Sequence, residues 1–281
     1  MRYISLVKPG ILMGNAITLV GGYCFAVHEG SSSFDPVCLL FALLGMCLVV
    51  ASGCVFNNFI DSDIDALMER TKKRVTVLGL VSLRNGMFYA VILAVSGLII
   101  LYFLINHLSA LVSLFGLFVY VVIYSLYFKR YSVLGTAIGG VAGAIPPVVG
   151  YVAVTGHLSF GSFIIFAILF CWQIPHSYAI AIYRKDDYKA AAIPVLPLVV
   201  NLFWTKACMA LFVVLMALFA VLPYLLGLLG LAYGIFAIAA SLLWLWYMFV
   251  NTEVDESLWA RKMFVISIMV VNLLCIGMFL G

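Results

Sequence analysis

Charged side chains are scarce in this sequence, at 9% of 281 residues, against roughly 25% in soluble domains. The 15 Lys and Arg and the 11 Asp and Glu are too few to cover a water-exposed surface of this size. Hydrophobic residues make up 66% of the chain instead. This composition excludes a soluble domain, a disordered chain and a nucleic-acid-binding module, and it predicts a polytopic membrane protein.

Paired cysteines are lacking as well. The seven cysteines form no CxxC pair and lie mostly within apolar runs. An odd, scattered set of this kind excludes a disulfide scaffold and a cysteine metal site, and it is typical of small residues in a packed core.

The sequence has long apolar runs instead. A helix needs about 20 apolar residues to cross a hydrocarbon core, and nine of the runs are that long. The runs cover approximately residues 10–28, 37–56, 87–105, 108–127, 133–154, 160–181, 207–226, 229–250 and 262–280. We expect an all-α fold with these helices around a central cavity open to the cytoplasmic side. Residues 1–281 are expected to form a single transmembrane domain.

The basic residues all fall on one side of this nine-span arrangement. Because positive loops stay inside, that side is predicted to be the cytoplasm, with the N-terminus there and the C-terminus opposite. No cleavage site follows the first run and no Arg- and Ser-rich stretch precedes it, so we expect a bacterial inner membrane. Two long cytoplasmic loops, at about 57–86 and 182–206, are the expected cap of an active site.

The first loop carries a cluster of polar and acidic residues. Asn57, Asp61 and Asp65 are spaced four apart, which places them on one face of a helix. Carboxylates at this spacing repel each other, an arrangement that favours a divalent cation such as Mg²⁺ with phosphate oxygens in its shell. The alternative is a solvated helix end, and Asp63, off the stripe, is expected to be merely solvated. Basic residues suited to phosphate follow directly, at Arg70, Lys72, Lys73 and Arg74.

The second loop repeats the pattern, since an apolar run leaves the membrane and meets Arg184, Lys185, Asp186, Asp187 and Lys189. We expect both acidic clusters to face one cavity.

Several motifs resemble the UbiA superfamily of intramembrane prenyltransferases, and within it the heme O synthase (protoheme IX farnesyltransferase) family. The segments are KPGI at 8–11, ASGCVFNNFIDSDID at 51–65, MERTKKR at 68–74, YSLYFKR at 124–130, GAIPPVVGY at 143–151 and WQIPHSYAIAIYRKDDYKAAAIPVLP at 172–197. Many superfamily members carry DxxxD in the second loop. Here Asp187 is followed four residues later by Ala191, which fits heme O synthases better than quinone-type enzymes.

The resemblance implies transfer of a farnesyl group from farnesyl diphosphate to the vinyl group of heme B, which is a substrate. The farnesyl tail is expected in the lipid-facing cavity and the diphosphate at its cytoplasmic mouth. It implies Mg²⁺ as cofactor, with Asn57, Asp61, Asp65 and Asp187 as catalytic metal ligands. The product would pass to a heme A synthase or a terminal oxidase. The diphosphate-binding residues it implies are Arg70, Lys73, Arg74, Lys129, Arg130 and Arg184.

Three further residues have two interpretations each. Tyr124 and Tyr127 are candidates to stabilise an allylic cation, or belong to an interfacial aromatic belt. His176, beside Pro175 within a span, is a candidate heme-binding residue, at the iron or near the propionates. Otherwise it is a neutral histidine bonded to the carbonyl that Pro175 frees or to Gln173.

Two rival functions stay open. A UbiA-type enzyme acting on an aromatic quinone precursor shares the first cluster, but the missing second DxxxD disfavours it. A transporter places its ion ligands near the bilayer midplane, whereas these clusters lie at one surface.

Overall fold

The computed structural model describes residues 2–30, 33–250 and 255–281, which form helices and no strand. Nine of these helices, labelled α1 to α9 in chain order, are long and apolar enough to cross a membrane, which confirms the predicted number of spans. The helices are α1 Pro9–His28, α2 Pro36–Ile60, α3 Leu83–Ile105, α4 His107–Tyr131, α5 Gly135–Thr155, α6 Phe160–Tyr183, α7 Leu202–Leu225, α8 Leu231–Val250 and α9 Glu256–Leu280.

Several helices begin earlier than the apolar runs because polar side chains cap them. The Asn201 side chain accepts from the amide of Trp204 at 3.1 Å, so α7 begins at Leu202 rather than near residue 207. The Asp255 side chain likewise accepts from the amide of Ser257 at 3.3 Å at the start of α9. Such caps satisfy amides that have no partner within the helix. Hydropathy alone therefore places these two starts about one and a half turns late.

Close backbone contacts between helices rest on small residues, as is usual in lipid. A Cβ atom at Gly22 of α1 would overlap the Pro147 carbonyl of α5, and one at Gly150 of α5 would overlap the Leu19 carbonyl of α1. The backbones of α1 and α5 are therefore in direct contact at these two glycines. This contact positions α5, which forms one wall of the cavity described below.

Two of the long helices are irregular. Helix α4 is π-helical over Val119–Phe128, so its hydrogen bonds there span five residues instead of four. Helix α5 consists of Gly135–Gly143 and Ile145–Thr155, interrupted at Ala144. Pro146 and Pro147 follow this break, and neither has an amide hydrogen to continue the first segment's pattern.

The two ends of α1 identify the two ends of the bundle. Lys8, just before α1, donates from Nζ to Asn57 Oδ1 at 2.6 Å. His28, the last residue of α1, has Nε2 at 3.1 Å from the carbonyl oxygen of Phe279 in α9. The polar motif and the C-terminal end of α9 thus lie at opposite ends of the bundle, as the odd number of spans predicts.

Candidate active site

A cavity of about 880 Å³ lies among α1, α2, α4, α5, α6 and α9. Its wall is mainly apolar, and its polar groups include Tyr120, Tyr124 and Lys129 of α4 and Gln173 and His176 of α6. A largely apolar cavity with a few convergent polar groups is the usual form of a small-molecule site.

The first motif lies at one end of this cavity and is fully buried. Asn57, Asp61 and Asp65 are 4%, 0% and 3% exposed. Helix α2 ends at Ile60 and a short helix covers Ser62–Leu67. The four-residue bonding nevertheless continues through the junction, because the Asp61 amide donates to the Asn57 carbonyl at 2.9 Å and the Asp65 amide to the Asp61 carbonyl at 2.8 Å. Asn57, Asp61 and Asp65 therefore lie on one helical face, as their spacing predicts.

Each residue of the stripe contacts a cation from another part of the chain. A buried carboxylate is costly unless it is paired, and these partners neutralise the stripe. The pairs are Lys8 with Asn57, Lys129 with Asp61, and Arg74 with Asp65.

The side chain of Asn57 connects the stripe to α4. Its Nδ2 donates to Asp61 Oδ2 at 2.6 Å and to Ser125 Oγ at 3.1 Å. The Ser125 hydroxyl donates in turn to the Tyr120 carbonyl at 2.8 Å, across the wide π-helical turn. Among the described residues Asp61 Oδ1 has no hydrogen-bond partner, and Arg130 Nη2 lies 3.9 Å away. A buried carboxylate oxygen thus retains its capacity to bind a further cation.

The second loop packs directly against the first. Asp187, 9% exposed, accepts from the Glu69 amide at 2.8 Å through Oδ1. Apolar contacts beside it join Met68 of the first loop to Ala191 and Ile193 of the second. The two acidic clusters, 126 residues apart at Asp61 and Asp187 in the sequence, are therefore neighbours in space.

The carboxylates do not line the cavity themselves, contrary to the expectation that both clusters face it. Asp61 is ion-paired with Lys129 instead, and the Lys129 side chain forms the cavity wall at this end. In the part of the chain that the structure describes, no three His, Cys, Asp or Glu residues are arranged to hold a metal ion. A cation bound here would therefore need waters or substrate oxygens to complete its shell.

The predicted phosphate-binding residues divide into two groups. In the first, which consists of Arg130 and Arg184, the main contact of each residue lies outside the acidic stripe. The two terminal nitrogens of Arg130 each lie 2.7 Å from an Asp63 oxygen. Asp63 is thus ion-paired rather than merely solvated, and hydrogen bonds from Arg130 lower its pKa to about 2. Arg130 also donates to the carbonyl of Ile60, the last residue of α2, at 2.5 Å. This hydrogen bond caps the C-terminal end of α2. Arg184 lies with its guanidinium 5.4 Å from the Tyr183 ring centroid.

The other group gathers beside the stripe. Lys8, Lys73 and Arg74 line a small pocket of about 120 Å³ together with Asn58. Burial, reinforced by the charge of Arg74, lowers the pKa of Lys8 to about 8. The charges of Lys129 and Arg70 oppose the rise that burial causes in the pKa of Tyr188, a residue of the second loop. The site thus concentrates positive charge on both sides of the acidic stripe.

The structure gives the two candidate tyrosines different surroundings. Tyr124 lines the cavity and stacks on Tyr120, with ring centroids 5.7 Å apart and planes at 24°. Tyr127 is 60% exposed and packs edge-on against Phe128. The exposed position of Tyr127 is the one expected of an aromatic-belt residue, whereas Tyr124 faces the cavity.

His176 has a partner that neither sequence interpretation named. Its Nδ1 lies 2.6 Å from Ser267 Oγ of α9, rather than at Gln173 or at the carbonyl that Pro175 frees. Its ring stacks on Trp172, with centroids 4.6 Å apart and planes at 25°. The side chain forms part of the cavity wall.

Comparison with known proteins identifies the family to which the chain belongs. A model of the UbiA prenyltransferase family matches residues 15–268. The chain belongs to the UbiA prenyltransferase family. This UbiA member is 45% identical over 279 residues to a protein named protoheme IX farnesyltransferase from Aeromonas salmonicida (strain A449), covering 99% of this chain and 94% of that protein.

Solved structures of the UbiA family share the fold. A digeranylgeranylglyceryl phosphate synthase structure matches 100% of this chain and 97% of its own, with a TM-score of 0.80 at 19% identity. A UbiA homolog from Archaeoglobus fulgidus, bound to GPP and Mg²⁺, matches 100% of both chains with a TM-score of 0.71 at 14% identity. Together with the nine apolar helices, the family membership makes this chain a multi-pass membrane prenyltransferase.

Four residues of the site are absent from the sequence-based candidates. Lys8 is the first residue of the KPGI segment that carries the resemblance, but no role at the site is predicted for it from the sequence. In the structure it adopts a left-handed backbone with φ of 52°, an unusual conformation for a residue with a Cβ. Tyr120 could have been found from its four-residue spacing to Tyr124. Ser125 and Ser267 carry no signal in the sequence, because their partners lie 68 and 91 residues away.

Proposed function

We propose that this UbiA family member transfers the farnesyl group of farnesyl diphosphate to a vinyl group of heme B, giving the hydroxyethylfarnesyl side chain of heme O. The observation that carries the proposal is the 45% identity to a protoheme IX farnesyltransferase over 99% of this chain. The cavity and its charged end supply the two environments that the reaction needs, an apolar space for tail and porphyrin and a polar one for the diphosphate.

We propose Mg²⁺ as the cofactor, held by Asn57, Asp61, Asp65 and Asp187. These side chains offer the oxygen ligands that Mg²⁺ prefers. The buried Asp61 Oδ1, which has no hydrogen-bond partner within residues 2–30, 33–250 and 255–281, has the capacity to bind it. The Archaeoglobus fulgidus homolog bound to GPP and Mg²⁺ supports this assignment. When bound, the metal supplies positive charge that stabilises the departing diphosphate.

The chain's own cations supply the remaining charge. Lys129 contacts Asp61 and also lines the cavity, so it lies between the acidic stripe and the space for the substrate. Lys8, Lys73 and Arg74 cluster next to it, and the charge of Arg70 acts on Tyr188 of the second loop. We propose that these five residues bind the diphosphate, whereas Arg130 and Arg184 have structural roles.

The reaction begins with cleavage of the bond between the farnesyl C1 and the diphosphate oxygen. The electron pair leaves with the diphosphate, where the cations above stabilise the growing charge. The resulting allylic cation lies against electron-rich rings, for which the stacked Tyr120 and Tyr124 are placed in the cavity wall. The vinyl carbon of heme attacks farnesyl C1, water adds to the cation left beside the porphyrin ring, and one proton is released.

We further propose that the loops near 57–86 and 182–206 cap the site on the cytoplasmic side of a bacterial inner membrane. The contact between Asp187 and the Glu69 amide, which joins the loops, supports this arrangement. The C-terminal end of α9 would then lie on the opposite side. Release of heme O toward a heme A synthase or a terminal oxidase completes the proposal.

The test is a product assay with a choice of acceptor. Purified protein is incubated with farnesyl diphosphate, Mg²⁺ and an equimolar mixture of heme B and 4-hydroxybenzoate, and the products are resolved by mass. We expect heme O and no farnesylated benzoate. Farnesylation of the benzoate alone would reassign the chain to the quinone-type enzymes.

A further inference from the structure

We propose that Ser267 fixes His176 in the tautomer with its proton on Nδ1, so that Nε2 presents a lone pair to the cavity and ligates the iron of the heme substrate. This inference rests on the proposed function for the identity of the substrate. The assignment of the proton and the role of Ser267 come from the hydrogen bonds around the two side chains.

The tautomer follows from the single proton of the Ser267 hydroxyl. Ser267 Oγ lies 2.6 Å from the carbonyl oxygen of Phe264 and 2.6 Å from His176 Nδ1. A carbonyl oxygen only accepts, so the hydroxyl proton is donated to Phe264. The oxygen of Ser267 must therefore accept from His176, which requires a hydrogen on Nδ1. In a neutral imidazole the other nitrogen then carries a lone pair.

The surroundings leave that nitrogen available to the cavity. One face of the His176 ring lies against Trp172, and the ring of Phe264 packs at 4.9 Å between centroids. Nδ1 is engaged with Ser267, and among the described residues Nε2 has no hydrogen-bond partner. The edge that carries Nε2 is thus what His176 contributes to the cavity wall.

The same serine holds the neighbouring aromatic ring. Trp172 Nε1 donates to the Ser267 backbone carbonyl at 2.7 Å, and Ser267 is fully buried. Helices α6 and α9 are therefore joined by two side chains of α6 at one residue of α9. A hydrogen bond to the second nitrogen of a histidine is the usual device that orients a metal ligand and raises its basicity.

This arrangement decides between the two roles considered for His176. A contact with a heme propionate needs a hydrogen donor, which Nε2 in this tautomer is not. A nitrogen lone pair that faces an apolar cavity suits ferrous or ferric iron instead. Coordination would hold the porphyrin at α6 and α9, across the cavity from the wall formed by Tyr120 and Tyr124 of α4.

The experiment is a titration of the purified protein with heme B, without farnesyl diphosphate, followed by resonance Raman spectroscopy of the ferrous complex. We expect an iron–histidine stretching band in the unaltered protein. His176→Ala and His176→Gln should both lose this band and weaken heme binding about 10- to 100-fold. Added imidazole should restore a nitrogen-ligated spectrum to the heme that elutes with His176→Ala in size-exclusion chromatography, which separates this complex from imidazole bound to free heme and shows that the variant is folded.

The role of Ser267 is read from the frequency of the same band. Ser267→Ala should keep the band at a lower frequency and weaken heme binding about 10-fold, because Nδ1 loses its acceptor. Ser267→Thr keeps the hydroxyl and should restore the unaltered frequency. Ser241→Ala removes another buried hydroxyl, in α8, and serves as the matched control with no change.

Two results would overturn the inference. A band that persists in both His176 variants would show that another group binds the iron, and an unchanged frequency and affinity in Ser267→Ala would remove the positioning role. If the unaltered protein also makes heme O, either result rejects this inference alone. Failure of the unaltered protein to make heme O would reject the proposed function instead.

Discussion

The ion pair between Lys129 and Asp61 neutralises the most deeply buried carboxylate of the acidic stripe. The two side chains are 17% and 1% exposed, so replacing Lys129 by Met leaves a carboxylate buried without its main partner. Removal of one member of a buried pair costs about 3–5 kcal/mol. Because Asn57 still donates to Asp61, we expect a loss in unfolding free energy near 3 kcal/mol, at the low end of that range.

This loss is measurable as a change in melting temperature. At roughly 2 °C per kcal/mol for a chain of this length, Lys129→Met should melt about 6 °C lower in detergent without Mg²⁺. The double variant Lys129→Met with Asp61→Asn has no uncompensated charge and should recover most of this difference. Tryptophan fluorescence during heating provides the assay.

Lys72→Met is the matched control, because its ion pair with Glu69 joins side chains that are 44% and 82% exposed. An exposed pair of this kind contributes about 0–1 kcal/mol. If Lys129→Met melts no lower than Lys72→Met, or if the double variant does not recover, the buried pair is not the neutralising contact described here.

Two further predictions concern the cavity wall. Tyr124→Leu should lower kcat about 10-fold or more, since a desolvated cation–π contact contributes up to about 2 kcal/mol. Tyr127→Leu alters an exposed side chain and should leave kcat within about 2-fold. Equal losses of kcat in the two variants, measured in turnover assays, would reject the assignment. Gly143→Ala places a Cβ where it overlaps the Gln173 amide. It should lower the free energy of unfolding by about 1–3 kcal/mol. An unchanged melting temperature would show that the Gln173 side chain moves freely out of the way.

The number of helices could be predicted from the sequence because the cause is local. An apolar run of about 20 residues must form hydrogen bonds within itself in lipid, and it therefore becomes a helix whatever it packs against. The four-residue stripe of Asn57, Asp61 and Asp65 is local in the same sense. The helix starts were less accurate, because caps such as Asn201 are polar and lie outside the hydrophobic pattern.

The partners of the site residues could not be predicted, because they depend on how distant helices pack. The bonds from Lys8 to Asn57 and from His176 to Ser267 join residues 49 and 91 positions apart. The two candidate tyrosines could not be told apart for another reason. Tyr124 and Tyr127 lie one turn apart in the sequence, and only the packing of α4 shows that Tyr124 lines the cavity while Tyr127 is exposed.

The most direct test of the central claim is the mass of the product formed with heme B, farnesyl diphosphate and Mg²⁺ by the unaltered protein and by Asp65→Asn. We expect heme O from the unaltered protein and none from the variant, with both proteins inserted and folded. Without Mg²⁺ the unaltered protein should also form none. Full heme O production by Asp65→Asn would contradict the assignment of the buried acidic stripe to the chemistry.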